Sequence, residues 1–160
     1  MNISPRDFGF KILSKREHSV FEFREKILKK FGDEISDDLE KIVTEFLERK
    51  FLSNERYCEC FARDQILKKS GPRKILEKLK KKGITSALAK VKIDEVFLLE
   101  DRERICELLA IKKLNDIIRQ GKTKNKFIIK GKITNFLVGR GFDFDTIFAS
   151  IEKAFVIIKI

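Results

Sequence analysis

One histidine, one tyrosine, one methionine, two prolines and no tryptophan are found in 160 residues. The single histidine, His18, precedes Ser19 at a helix start and has no Ser, Cys or Asp at a telling spacing, so imidazole acid–base chemistry finds no support. Three cysteines, Cys58, Cys60 and Cys106, make an odd number without a disulfide framework. Together with the lack of a secretory leader this predicts a reducing, cytoplasmic location. Cys58 and Cys60 fall about 200° apart on a helix and do not chelate together; they are expected to be small buried apolar residues. No apolar run approaches the ~18 residues of a membrane helix, and the tail "FVIIKI" is expected to dock or close a core. The chain lacks a Gly-x-x-x-x-Gly-Lys-Ser/Thr loop for nucleotide phosphates and the Asp-x-Asp-x-Asp-Gly loop that wraps calcium. The acids from Asp33 to Glu40 are those of a helix N-terminus. No catalysis, cofactor or metal is expected.

Charge and apolar residues are abundant. The chain is 42% hydrophobic and 38% charged, with net charge +11 and a pI near 9.6. Such a balance favours polyanionic partners. The excess is uneven: residues 1–52 carry 11 basic and 11 acidic residues, 53–97 carry 12 and 6, and 98–160 carry 13 and 8.

The punctuation of the chain repeats. Ser4-Pro5 reads as an N-cap and first helical position, with Phe8, Ile12 and Leu13 on one face to about Arg16. Ser19-Val20-Phe21-Glu22 fits a capping box, opening a helix with Phe23, Ile27, Leu28 and Phe31 that stops at Gly32. A third helix carries Leu39, Ile42, Val43, Phe46 and Leu47 at the 3.6-residue period. A second cycle follows: Asn54 to Lys69, burying Tyr57, Cys58, Phe61 and Ile66; Gly71-Pro72 to Gly83, burying Ile75, Leu76 and Leu79; and Thr85 to Phe97, with Leu88 and Val91 inward. A third runs from about Asp101 to Gln120, from Lys124 to Val138, and from Asp143 onward. There Asp143 is the N-cap, Phe142 staples to Ile147, and Phe148, Ile151 and Phe155 continue the stripe. The middle helices end in "LKKFG", "LKKKG" and "LVGRG", each placing a Leu four residues before a Gly (Leu28, Leu79 and Leu137). This predicts an all-α protein of three tandem three-helix modules, residues 1–52, 53–97 and 98–160, in an elongated, curved body. No alternating strand pattern competes.

The candidate binding residues are cations with few acids among them. In the middle module these are Arg56, Arg63, Lys68, Lys69, Arg73, Lys74, Lys78 and Lys81; in the last they are Lys124, Lys126, Lys130 and Arg140. Lys74, Lys78 and Lys81 stack along one helix face, and Glu77 is spaced to pair with Arg73. A face so unbalanced repels itself unless it meets negative charge.

The stretch "FLSNERYCECFARDQILKKSGPRKILEKLKKKGI" resembles the signature region of the bacterial regulatory protein RecX family. The pattern is met by Leu52, Glu55, Arg56, Tyr57, Phe61, Arg63, Gly71, Pro72, Ile75, Leu79, Lys82, Gly83 and Ile84. Upstream, "LSKREHSVFEFREKI" is similar to the family's first module, and "FLVGRGF" to its last. Asn54 stands where Asp is usual, Cys58 where a small Ala is common, and Phe23 where Leu is. The resemblance implies tandem three-helix modules, no catalytic residue and no cofactor. It further implies a partner, the RecA recombinase: a protein of this kind lies in the groove of the RecA filament on single-stranded DNA. There it blocks extension or promotes disassembly, lowering ATPase, strand exchange and coprotease activity. A monomer with weak direct DNA contact and no membrane partner is expected. The alternative reading is a basic helical protein acting directly on nucleic acid, with a DNA-processing enzyme a distant third.

Overall fold

The computed structural model describes residues 3–121 and 123–159. Among them the chain is all-α, with nine helices: α1 (Pro5–Leu13), α2 (Val20–Phe31), α3 (Ser36–Glu48), α4 (Asn54–Leu67), α5 (Pro72–Lys81), α6 (Ser86–Val96), α7 (Leu99–Gln120), α8 (Lys126–Arg140) and α9 (Phe144–Ile158). A single 3-10 turn, Asp33–Ile35, leads into α3. The chain divides into two compact units, residues 1–61 with 78–92 and residues 62–77 with 93–160.

Local chemistry sets the helix starts. Side-chain oxygens accept from orphan N–H groups at Ser4 (from Asp7), Ser19 (from Glu22), Ser53 (from Arg56), Asn125 (from Phe127) and Asp143 (from Thr146), at 2.9–3.2 Å. Each such cap stabilises by about 1 kcal/mol. Helix ends follow the expected glycines, with φ of +85° at Gly32, +74° at Gly83 and +93° at Gly141.

In the first unit Ile12, Phe23, Ile27, Leu39, Val43, Phe46 and Leu52 form one core. Phe46 is its hub, with ring centroids 4.6 Å from Phe10 and 5.5 Å from Phe23. The Ser19 capping box is half realised. Ser19 caps as expected, but Glu22 turns away to bind Arg16 Nη1 at 2.9 Å and Lys82 Nζ at 2.8 Å. Two charge-assisted bonds outcompete one neutral N–H for a carboxylate that is almost buried. Burial alone would raise the Glu22 pKa, but the bonds from Arg16 and Lys82 outweigh it and hold the group below its ordinary value. Tyr57, buried and beside Glu22, is pushed up to about 12. His18 is also buried. Its Nδ1 lies 2.9 Å from the Arg16 carbonyl and its Nε2 lies 2.9 Å from Lys26 Nζ. Lys26 therefore donates to Nε2 of a neutral ring, whose Nδ1–H donates to the carbonyl.

In the second unit α7 packs along α8 and α9 through Cys106, Leu109, Ala110, Leu114 and Ile117. Facing them are Ile129, Ile133 and Leu137 of α8 and Ile147, Ile151, Ala154 and Phe155 of α9. Phe142 and Ile147, the two residues of the expected staple, are both buried on either side of the Asp143 cap. Some stripes are rotated from expectation. Leu47, Val91 and Phe148 are exposed, whereas Ala89, Ala110 and Ala154 are fully buried. Small residues let helices approach closely and so define the inward face, which a pattern weighted to large side chains misplaces. Of the tail, Phe155 is buried and Val156 and Ile157 are exposed, while Ile160 lies outside the described residues.

The start of α5 meets the end of α8 backbone to backbone. Gly71 N–H donates to the Arg140 carbonyl at 2.7 Å, and Arg73 N–H to the Gly141 carbonyl at 3.0 Å. Pro72, between them, has no N–H to leave unsatisfied. A Cβ on Gly71 would come 2.4 Å from the Gly141 carbonyl carbon, and one on Gly141 would come 2.5 Å from Lys74 Cβ. The first unit contains a related approach, where a Cβ on Gly83 would lie 2.5 Å from Phe21 Cβ at the start of α2. By contrast Gly131, inside α8, has open space around it.

Two predictions follow from these environments. Gly71→Ala should lose about 3 kcal/mol of stability by overpacking, whereas Gly131→Ala should gain about 0.5–1 kcal/mol by removing helical glycine; urea unfolding of both variants checks the pair. The second concerns pH. Burial first, then the charges of Arg16 and Lys26, hold the His18 pKa below its ordinary 6.5. Below pH 6.5 the unfolded chain thus binds a proton that the folded chain refuses, and stability falls as pH falls toward the folded value. Glu22, Glu40, Glu45 and Asp143 are held below their usual range and add a second loss, beginning below about pH 4.5. Urea midpoints of His18→Gln should lack the first slope and keep the second; an unchanged slope between pH 6.5 and 5 would assign it to other groups.

Candidate basic interface

The expected cations separate into those engaged within the fold and those that face solvent without a partner. In the first unit, Arg56 is half-buried and committed: its Nε donates to Glu17 at 2.8 Å and its Nη2 to the Phe51 carbonyl at 3.2 Å. Lys78 is half-buried and also engaged. Lys81 is exposed with no partner among the described residues.

In the second unit Lys68, Lys74 and Arg140 are brought together by the junction of α5 and α8. Arg140 Nη2 donates to the Lys68 carbonyl at 3.1 Å, and Lys74 Nζ to the Gly139 carbonyl at 3.2 Å. These are cations on helix C-terminal carbonyls, where the backbone dipole is negative. Lys68 also pairs with Asp64 at 2.7 Å. Arg140 Nε is buried with no hydrogen-bond partner. A shallow cleft of about 200 Å³, lined by Arg73, Lys74, Glu77, Val138, Gly139 and Gly141, opens beside the junction. Among the described residues the Arg63, Lys69 and Arg73 side chains are exposed without partners, so the Arg73–Glu77 pair suggested by spacing is not made. Lys69 has φ +57° at the end of α4, a left-handed geometry that glycine adopts more readily.

Lys124, Lys126 and Lys130 lie at the opposite end of α8 from Arg140, about 20 Å away at 1.5 Å per residue. Lys124 and Lys126 are exposed, with no partner among the described residues. Lys130 pairs with Glu152 and lies over the Phe155 ring. The second unit therefore presents two basic regions, one at each end of α8.

Several engaged cations were not anticipated: Lys82 on Glu22, Lys92 on Glu59 at 2.8 Å, and Arg102 on Asp94 at 2.6 Å with Nε on the Phe97 carbonyl. No local spacing reveals such pairs, which join residues up to 60 positions apart. Among the described residues no group of His, Cys, Asp and Glu is placed to hold a metal. Burial pushes the Cys58 and Cys106 thiols up to about 11, which leaves them unreactive. No helix among the described residues is long and apolar enough to cross a membrane.

Residues 53–90 match the family model described as "RecX, second three-helix domain". "Regulatory protein RecX" of Acinetobacter baylyi is 30% identical over 149 residues, covering 92% of this chain and 86% of that protein. The protein of the same name from Vibrio parahaemolyticus is 27% identical over 147 residues, covering 91% and 88%. The crystal structure of RecX from Lactobacillus salivarius superposes with a TM-score of 0.83 over 95% of both chains at 20% identity, a likeness of fold. A signature-bearing middle segment and a relative 30% identical over 92% of the chain, with an all-α fold to match, place the chain in the RecX family of regulatory proteins.

Proposed function

We propose that this chain restrains the RecA recombinase by binding the filament RecA forms on single-stranded DNA, blocking its extension or promoting its disassembly. ATPase, strand exchange and coprotease activity then fall together, because all three need the assembled filament. The protein acts as a cytoplasmic monomer through binding alone, with three tandem modules (1–52, 53–97 and 98–160) laid along the filament. Family membership supports the partner. The observation that carries the choice of residues is the set of exposed cations without internal partners among the described residues: Arg63, Lys69 and Arg73 in the second unit and, separately, Lys81 in the first. Engaged cations such as Arg56 and Arg140 serve their own units instead.

The test is the DNA-dependent ATPase of RecA on single-stranded DNA, with this protein titrated in well below one molecule per RecA at two salt concentrations. Wild-type protein should inhibit strongly at those ratios. The triple variant Arg63→Glu, Arg73→Glu, Lys81→Glu should need roughly tenfold more protein, from three exposed charge contacts at about 0.5 kcal/mol each, with its helical circular dichroism unchanged. Inhibition only at amounts that coat the DNA, fading with a log–log salt slope of about −0.7 per phosphate contact, would replace this reading with direct competition for nucleic acid.

A further inference from the structure

The charge neutrality of the first 52 residues conceals a segregation. Residues 33–48 hold seven of the eleven acids and one base, leaving eight bases and four acids in residues 1–32. None of those four acids lines the cleft that the bases build, and three are engaged elsewhere. Glu17 binds Arg56, Glu22 binds Arg16 and Lys82, and Asp7 accepts from the Ser4 hydroxyl. Between the end of α1 and the outer face of α2 the bases line a cleft of about 650 Å³. Its floor is Phe8 and Ile12, and its rim is Lys15, Lys26, Lys29 and Lys30, with no carboxylate among the lining residues.

Lys29 and Lys30 lie in the last turn of α2, where cations offset the helix dipole. That accounts for two of the four. It does not account for Lys15 on the facing segment, nor for Lys26, which stacks with Lys29 and Lys30 at like-charged helical spacing and so repels them. Lys26 is held in place by its hydrogen bond to buried His18, and Lys30 by lying 4.4 Å from the Phe8 ring centroid. Ammonium groups anchored around an apolar floor form a preorganised receptor for an anion with an apolar part.

We propose that this cleft docks an acidic peptide segment of a protein partner, one with several carboxylates flanking an aliphatic side chain. The carboxylates meet the lysine rim and the aliphatic group covers the apolar floor. The volume lies in the range of sites for sizeable ligands and exceeds what one inorganic anion needs. Single-stranded nucleic acid fits less well, because binding it draws on open aromatic faces for base stacking. The Phe8 ring is covered by Lys30 and meets Phe31 edge-on at 5.7 Å. The proposal is independent of the surface assigned to the RecA filament.

The full-length chain carries its own reporter, since His18 is its only histidine. The probe is a fluorescein-labelled peptide of about twelve residues, Glu with two central Leu; the comparison probes are an all-Glu peptide and oligo-dT of similar length. The Glu/Leu peptide should shift the His18 imidazole NMR resonance saturably and bind more tightly than all-Glu. In anisotropy titrations Lys26→Ala, Lys29→Ala, Lys30→Ala should weaken it at least tenfold, while the charge-matched control Lys90→Ala, Lys112→Ala, Lys132→Ala changes it less than about twofold. Should the first triple lose its helical signal, Lys15→Ala alone should weaken binding more than Lys90→Ala alone. Equal losses in cleft and control variants, or a His18 signal unmoved at saturating peptide, would overturn the proposal. A His18 signal that responds to oligo-dT and not to the peptide would overturn it in favour of nucleic acid.

Discussion

The second unit depends on two helix ends meeting with nothing but backbone between them. The first turn of α5 has N–H groups without helical acceptors, and the last turn of α8 has carbonyls without helical donors. Each set satisfies the other through Gly71 and Arg73 onto Arg140 and Gly141, with the positive end of one dipole against the negative end of the other. The contact leaves no room for a Cβ at Gly71 or Gly141. From this junction follow the bonds of Lys74 and Arg140 to nearby carbonyls and the exposure of Arg73 beside them. In the first unit Gly83, at the end of α5, is close-packed for a different reason: it lies against the Phe21 side chain at the start of α2, with no backbone bond between them.

Charge has two uses here, and total charge does not distinguish them. Arg16 and Lys82 neutralise the nearly buried Glu22, Arg102 ties Asp94 to the Phe97 carbonyl, and Arg56 fastens Glu17 to the chain before α4. Such cations are part of the packing; losing one leaves a carboxylate or carbonyl uncompensated, at a cost beyond that of an exposed pair. Among the described residues Arg63, Lys69, Arg73 and Lys81 carry no such duty, and their side chains face solvent. The lysines of the His18 cleft form a separate group, unrelieved by any lining carboxylate.

Helix starts and stops were legible because caps and terminal glycines are chosen within four residues: Ser4, Ser19, Asp143 and Gly141 all act where expected. The inward faces of α6 and α9 were less legible. Their helices close on Ala89 and Ala154, residues that a search for large apolar side chains passes over. Glu22 was misread for a related reason: its capping partner is local, while one of the cations that takes it, Lys82, is distant in the chain. The His18 cleft was hidden by counting charge over a window that also held the acids of α3.

What the sequence determined by itself is the set of short-range choices: the succession of helices, most of their caps, and a signature segment specific enough to name a family. These need only neighbouring residues, because backbone conformation and capping are satisfied within a turn. Tertiary structure alone decided which cations are spent inside the fold and which stay free, since that depends on partners far away in sequence. It also decided that Gly71 and Gly141 must be bare, because only packed helix ends bring two backbones within bonding distance.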